Sequence, residues 1–430
     1  MNRGKLKVLI LGSYDTTLSG HVLWMQKELP NDKFDKKLVV LEKRYNGDDY
    51  AYFYDYRNRF KRDFMLRIRS IIRKIKIWKF CGEWLRPRPD SQGHEFHVSA
   101  FNSITGDDIL NKCSGFIPDL IIMMWTRTLV SAGAVKKIYE VTHARFLFVF
   151  VDEAHLTGGC HYPVDCDGYL HGCYDCPALI SGKQIAAKVM ADKLRCFKGI
   201  PKYVLGVSAD CRLAGQSPLF KDAKFFRLCS CPKVNITDKD KARLKFGIPQ
   251  DVFVAMIGSN FIHSVRKGVH YGVEAINKLA EKYNNIYVLI LGHNQKGLKM
   301  YFNPRIHTIM PGFLNLQGLF KAYCASDCFL NMTIADSGPM MVNYSIALGT
   351  PVISFNIGIA QDLVIHKKTG YIAELKNSED VARGLEFIHN LSAEEQIKMS
   401  AKCRALIAEI ESVLPWYEQI YENWEEDYRF

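Results

Sequence analysis

The sequence predicts an α/β protein of two domains, each a parallel sheet covered by helices. Three observations carry this. A chain of 430 residues is too long for one ordinary core. Short β-rich apolar runs alternate with helical stretches, which is the order of βαβ units. The alternation starts afresh beyond a polar stretch at residues 233–245.

Residues 7–11 read as the first strand, followed by Gly12 and, further on, Ser19 and Gly20. A helix over 21–29 and a strand over 37–41 complete a βαβ unit with a buried parallel sheet. The same order returns as a strand at 120–124, a helix at 131–142 and strands at 146–151 and 203–207. The second series has a strand at 252–258, an amphipathic helix at 268–283 and strands at 287–291 and 351–354. Ser392 and Glu395 have the spacing of a capping box and open a late helix.

Composition narrows the function. Hydrophobic residues make up 48% and charged residues 24%, ordinary for a soluble domain. No apolar run approaches the roughly 20 residues of a membrane span. The N-terminal apolar run is too short for a signal peptide and lacks a cleavage site, which predicts a cytoplasmic protein. There, the 13 cysteines are mostly free thiols, with metal binding where they cluster. The net charge of +12 leaves nucleic acid, an anionic membrane or phosphorylated substrates as partners.

The charge concentrates between residues 57 and 88. Phe60, Phe64, Ile68, Ile71, Ile72, Ile75 and Trp78 recur there at helical spacing, with Arg59, Arg62, Arg69, Arg73 and Lys76 largely on other faces. This is the pattern of an interfacial membrane helix; a surface helix with a solvated basic face is the alternative. No nucleic-acid-binding fold accompanies the charge, so no nucleic-acid partner is expected.

Four motifs carry chemistry. The loop from Gly12 to Gly20 precedes a helix N-terminus and suits an anion, although a plain strand-to-helix turn reads the same way. Thr157, Gly158, Gly159, Cys160 and His161 open a loop that continues to Cys166, Cys173 and Cys176. Those four cysteines predict a structural zinc site, with His161 as an alternative ligand and a compact loop of reduced thiols or labile disulfides as the other reading. Gly258, Ser259 and Asn260, then Arg266, Lys267 and Gly268, join a small-residue turn to cations at a helix start, which suits a diphosphate and its developing charge. Asp336, Ser337, Gly338 and Pro339 place an acid and a tight turn ahead of a helix. Backbone N–H groups there face a ligand phosphate, and the acid accepts from a sugar hydroxyl.

Taken together, these pieces resemble the GT-B glycosyltransferases, within them the large retaining group called family four. The Thr157–Cys176 loop is similar to a subgroup from bacterial capsule, exopolysaccharide and lipopolysaccharide gene clusters. The resemblance covers nearly the whole chain and is patchy between 48 and 102. It implies two Rossmann-like domains facing across a cleft. Residues 1–225 form the acceptor domain, completed by a terminal helix at 414–430, and residues 226–413 form the donor domain.

The resemblance further implies that Lys267 holds the donor phosphate and that Gly258 and Ser259 lie under the diphosphate. Phe313 and Leu314 border the nucleobase. Asp336 takes the first acidic position of an E-x7-E motif, and Gly338, Pro339 and Met340 face the donor sugar and phosphates. Gly20 adds a donor contact. The pattern also departs from the family. Tyr344 replaces the second acid, expected on the donor ribose. Ser259 and Asn260 replace a phosphate arginine, for which Arg266 is the compensating candidate. Val151 and Asp152 replace a His-Asp pair.

The implied activity is sugar transfer with retention from a UDP- or GDP-sugar to a lipid-linked or growing bacterial surface glycan. Asp152, Lys267 and Asp336 are the expected catalytic residues. No cofactor is expected for catalysis, because the protein supplies the positive charge. The acceptor is a glycan or polyprenyl-diphosphate-linked sugar, with the basic helix holding the enzyme peripherally on the inner membrane. The changed donor positions leave a second expectation, a catalytically degenerate nucleotide-sugar-binding or scaffold subunit.

Overall fold

The computed structural model describes residues 4–14, 21–44, 50–55, 58–87, 94–98, 101, 104–229, 232–259, 262–292 and 295–424. Contacts divide the chain into two compact units. One takes residues 1–206, 210–228 and 415–430, and the other takes 207–209 and 229–414.

The N-terminal unit runs β1 (Leu6–Tyr14), α1 (His21–Glu28), β2 (Phe34–Lys43), β3 (Ala51–Asp55), α2 (Arg59–Cys81), β4 (Arg86–Pro87), α3 (Gly106–Lys112), β5 (Leu120–Met123), α4 (Ala132–Thr142), β6 (Arg145–Val149), β7 (Leu179–Ser181), α5 (Gln184–Cys196), β8 (Lys202–Gly206), α6 (Ser208–Gln216) and β9 (Lys224–Arg227). Seven strands pair in the order β3-β2-β1-β5-β6-β8-β9, all parallel. Val8, Leu9, Ile10 and Leu11 are fully buried because helices cover both faces, which is why the run is continuous rather than alternating. Leu9 and Leu11 pack with Phe146 and Phe148 on one face. Val8 and Ile10 pack with Ile122 and Leu147 on the other.

The second unit runs α7 (Lys239–Phe246), β10 (Phe253–Gly258), α8 (Val269–Lys282), β11 (Ile286–Leu291), β12 (His307–Gly312), α9 (Leu316–Ala325), β13 (Cys328–Asn331), α10 (Met340–Leu348), β14 (Val352–Phe355), α11 (Ala360–Leu363), β15 (Gly370–Ala373), α12 (Ser378–His389) and α13 (Ala393–Glu411). Its sheet order is β12-β11-β10-β13-β14-β15, again parallel. The polar stretch at 233–245 is not a free linker. Part of it is α7, whose buried Arg243 pairs with Asp327 at 3.0 Å and donates to the Ala325 carbonyl. Ser392 and Glu395 form the capping box of α13, with bonds of 2.8 and 3.3 Å. The closing helix α14 (Trp416–Glu422) returns to the N-terminal unit, where Trp416 and Ile420 join the core beside Val8 and Ile10.

Both sheets reverse strand order at one place, between β1 and β5 and between β10 and β13. Loops leaving a parallel sheet on either side of such a reversal diverge, and the crevice between them is where α/β ligands bind. Each unit has one such crevice, and each holds a cluster of polar side chains.

Candidate functional site

In the second unit the crevice is built from the ends of β10 and β13. Gly258 ends β10, and Ser259 is buried behind it. A short 3-10 turn, residues 265–267, then delivers Arg266 and Lys267. Gly268 follows with φ +55, and a Cβ there would stand 2.1 Å from the Met332 carbonyl, so only glycine lets this loop lie against the segment after β13. The Ile334 N–H donates to the Arg266 carbonyl at 2.9 Å and locks the two loops together.

Asp336 sits at that junction. Its Oδ2 accepts from Arg266 Nη1 at 2.8 Å and from Lys267 Nζ. Burial alone would raise this carboxyl; the charges of Lys267 and Arg266 outweigh it and hold Asp336 below its ordinary range. The structure thus brings Lys267, Arg266 and Asp336 together. Arg266 also donates to the Ala335 carbonyl at 2.9 Å, so its guanidinium braces the 335–336 loop. Pro339 caps α10 without any side-chain bond, leaving the helix start after Gly338 available to an anion through Met340 and its neighbours. Tyr344 lies one turn further on, against Phe320 at 5.5 Å. Burial pushes its phenol up, and an uncharged phenol there cannot replace a carboxylate's charge. Phe313 is exposed and Leu314 half-buried just beyond β12, after Gly312 at φ +81. Gly20 lies outside the described residues.

In the N-terminal unit a cavity of about 50 Å³ lies beside the end of β5. Asp152, His161, His97, Trp125, Arg127 and Lys193 are among its lining residues. His161 Nδ1 lies 2.6 Å from Asp152 Oδ2, and Asp152 Oδ1 accepts from the Ala154 N–H at 2.9 Å. Burial would raise the Asp152 carboxyl, but the His161 charge and these hydrogen bonds hold it low. In the tautomer whose Nδ1–H donates to this carboxylate, Nε2 is the acceptor nitrogen of the ring. The His161 backbone is pinned between the Glu95 carbonyl at 2.6 Å and the Glu153 N–H at 2.9 Å. Lys193 donates to the carbonyls of Ala154 at 2.6 Å and Thr157 at 2.7 Å, which shapes the loop from behind. Burial lowers its amine to about 8.

His155 is nearer than His161 to Asp152 in sequence. Its ring instead packs on Phe148, with Nε2 3.1 Å from the Met124 carbonyl. The sequence reading missed the roles of His97, Trp125, Arg127 and Lys193. Trp125 and Arg127 directly follow β5 at the strand-order reversal, and that position was the available signal. His97 and Lys193 arrive from distant segments and had none.

The zinc expectation rests on Cys160, Cys166, Cys173 and Cys176, which all lie among the described residues. Among the described residues no group of three or more His, Cys, Asp or Glu side chains is placed to hold a metal. Cys160 Sγ donates to the Tyr162 carbonyl at 2.9 Å, while Cys173 and Cys166 accept from the N–H groups of Gly158 and Gly168 at 3.2 and 3.4 Å. Burial pushes Cys160 well up and Cys176 to about 11, and it raises Cys173. Burial favours the thiol form of Cys160, Cys173 and Cys176. The loop is closely packed: a Cβ on Gly158 would lie 2.2 Å from the Ala186 carbonyl.

Helix α2 begins at the Asn58 cap and ends at Gly82 in the left-handed region. Arg62, Arg69, Arg73 and the buried Ile77 face the unit. Phe60, Phe64, Ile71, Ile75 and Trp78 lie together on the opposite face and are exposed, Phe60 at 87% and Phe64 at 56%. Exposed Arg67 and Lys74 flank this stripe on one side and Lys61 and Lys79 on the other. No described helix is long and apolar enough to cross a membrane.

Two parallel Rossmann-like sheets with polar crevices at their reversals define the GT-B fold. Residues 238–405, which include Lys267 and Asp336, match the family described as "Glycosyl transferases group 1". A Haemophilus influenzae protein described as an uncharacterized glycosyltransferase is 28% identical over 163 residues, 37% of this chain and 44% of that protein. The chain therefore spans less than half the length of that curated relative. Sucrose-phosphate synthase from Thermosynechococcus elongatus superposes with a TM-score of 0.63 at 12% identity, covering 99% of this chain and 98% of that one. Anabaena HepE, solved with UDP-glucose, gives a TM-score of 0.59 at 14% identity over 98% and 100% of the two chains.

Proposed function

We propose that the chain is a glycosyltransferase that takes a sugar from a nucleotide donor bound by the C-terminal unit. The observation that carries this is the crevice beside β10: Lys267 and Asp336 stand at a strand-order reversal with the uncapped start of α10, inside the segment that matches glycosyl transferases group 1. The N-terminal backbone amides of a helix and one lysine suit a leaving diphosphate, whose charge grows in the transition state. A UDP-sugar is the preferred donor, by likeness to HepE, with a GDP-sugar next. Transfer proceeds with retention, the acceptor hydroxyl attacking the face the diphosphate leaves, and no metal takes part.

The acceptor is a lipid-linked or growing bacterial surface glycan held by the N-terminal unit. Asp152 acts there through His161, fixing the tautomer so that Nε2 accepts from a hydroxyl. The outward apolar stripe of α2, edged by cations, supports peripheral binding to an anionic membrane.

The test is a thermal-shift series with UDP, GDP, ADP, CMP and TDP on the full chain and on Lys267→Ala. One nucleoside diphosphate is expected to raise the melting temperature of the first and not of the second. No shift from any of them refutes donor binding. Tyr344, with its apolar setting in place of an acid, favours a second reading as a binding subunit without activity. That reading requires the same shift with no hydrolysis or transfer of the matching nucleotide-sugar.

A further inference from the structure

His97, Trp125 and His161 line one cavity in the N-terminal unit. The His97 and His161 rings stand edge to face with centroids 4.7 Å apart, and the Trp125 and His161 rings do so at 6.2 Å. The loop that carries His161 also holds His97, whose N–H donates to the Gly159 carbonyl at 2.8 Å. Gly159 has φ +128, and a Cβ there would stand 2.8 Å from the His97 carbonyl and 2.9 Å from the Phe96 ring. Only glycine allows the two segments to lie so close.

These three side chains keep hydrogen-bonding capacity that the fold does not use. Asp152 is held low, and an ionised carboxylate only accepts, so the hydrogen of its 2.6 Å contact belongs to His161 Nδ1. Trp125 Nε1 approaches that same nitrogen at 3.4 Å. A nitrogen that donates to Asp152 cannot also accept, so the indole N–H is left without its acceptor. In that tautomer His161 Nε2 accepts. The His97 ring makes no hydrogen bond among the described residues. Burial, then the Arg127 charge, pushes it down to about 3, so it is a neutral imidazole with one donor and one acceptor nitrogen. The charged groups on the same wall are largely committed. Asp152 serves His161 and the Ala154 N–H, and Lys193 serves the Ala154 and Thr157 carbonyls.

A ligand for this wall must both donate and accept. A carboxylate or phosphate has no proton to give His161 Nε2 and would stand against the Asp152 charge; an ammonium only donates and would meet Arg127. A hydroxyl does both and is neutral. Size narrows the choice. A cavity that takes a six-membered ring measures about 150 Å³, and this one is about 50 Å³. That is room for a hydroxyl and the carbon that bears it.

We propose that His97, Trp125 and His161 form a binding site for a primary hydroxyl, the hydroxymethyl arm of a sugar whose ring stays outside the cavity. That the arm belongs to the acceptor rests on the glycosyltransferase reading; the site itself does not.

The experiment follows the histidine rings of the full chain by NMR with isotope-labelled histidine. The His97 and His161 signals are identified by their loss in His97→Phe and His161→Phe. Without ligand, His161 is expected to carry hydrogen on Nδ1; a bare Nδ1 would give Trp125 its acceptor and overturn the site. Methyl hexopyranosides are then titrated beside the pentopyranosides that differ only in lacking the arm: glucoside against xyloside, mannoside against lyxoside, galactoside against arabinoside. At least one hexoside is expected to move both signals, and its pentoside to bind about tenfold more weakly, the scale of one or two lost hydrogen bonds. His97→Phe keeps the ring contact with His161 and should weaken that hexoside by about tenfold. His97→Gln, which keeps a donor and an acceptor, should recover part of the loss. Trp125→Phe removes the indole N–H from the other side and should weaken binding in the same sense, with the two histidine signals still present to report it. A pentoside that binds as well as its hexoside, hexoside affinity unchanged by His97→Phe and Trp125→Phe, or no movement of either signal by any hexoside overturns the proposal. Nucleoside diphosphate binding by the C-terminal unit is expected to survive these substitutions, so failure here is separable from failure of the donor reading.

Discussion

Asp336→Asn removes one charge and almost no volume. The carboxylate is about 11% exposed and serves two cations, Arg266 at 8% and Lys267 at 17%. Removing one partner of a buried ion pair costs about 3–5 kcal/mol, because the charges left behind have no counterion. Lys267 is the less buried of the two and recovers some hydration, so the lower end of that range is expected. All six tryptophans, Trp24, Trp78, Trp84, Trp125, Trp416 and Trp424, belong to the N-terminal unit, so their fluorescence reports that unit and circular dichroism reports both. In urea the substitution is expected to bring forward the dichroism transition and to leave the tryptophan transition in place. Because the folded carboxyl is held below its ordinary value of 3.8, its contribution is complete above that pH and is lost as pH falls through the folded value. The deficit is therefore constant from about pH 8 to pH 5 and shrinks below 3.8. Adding Lys267→Met should restore part of the loss. A deficit under about 1 kcal/mol, the range of an exposed pair, would refute the buried-triad account, as would an equal shift of the tryptophan signal.

Two further outcomes follow from local geometry. Gly268→Ala places a Cβ 2.1 Å from the Met332 carbonyl at a φ of +55, and it is expected to cost about 2 kcal/mol or more in the dichroism transition of the C-terminal unit; a melting temperature equal to wild type would show that the loop is not tied there. Arg67→Gln, Lys74→Gln and Lys79→Gln remove three exposed cations beside the α2 stripe. At about 1 kcal/mol each they should weaken sedimentation with anionic vesicles by about a hundredfold, and unchanged co-sedimentation would remove the membrane role.

The buried strands were legible because a parallel strand covered on both faces must be apolar throughout. Residues 7–11, 120–124 and 287–291 each appear as strands within a few residues of their predicted limits. The α2 pattern gave the helix but not its orientation. Periodicity says that Phe60, Phe64, Ile71 and Trp78 share a face; only packing shows that this face points outward while Arg62, Arg69 and Arg73 turn in. The cysteine spacing gave a compact loop but not its contacts: around Gly158, Cys160, Cys166 and Cys173 each have a backbone partner.

By itself the sequence determined the strands and helices of the two parallel-sheet units and the separate local turns that carry Lys267 and Asp336, because each depends on near neighbours in the chain. Tertiary structure decided the rest. Asp152 found His161, and Arg266 and Lys267 turned onto Asp336 from a distant part of the chain. Such pairings are set by which strand ends the sheet order places side by side and by which charges burial forces to find counterions. Neither is written in local spacing.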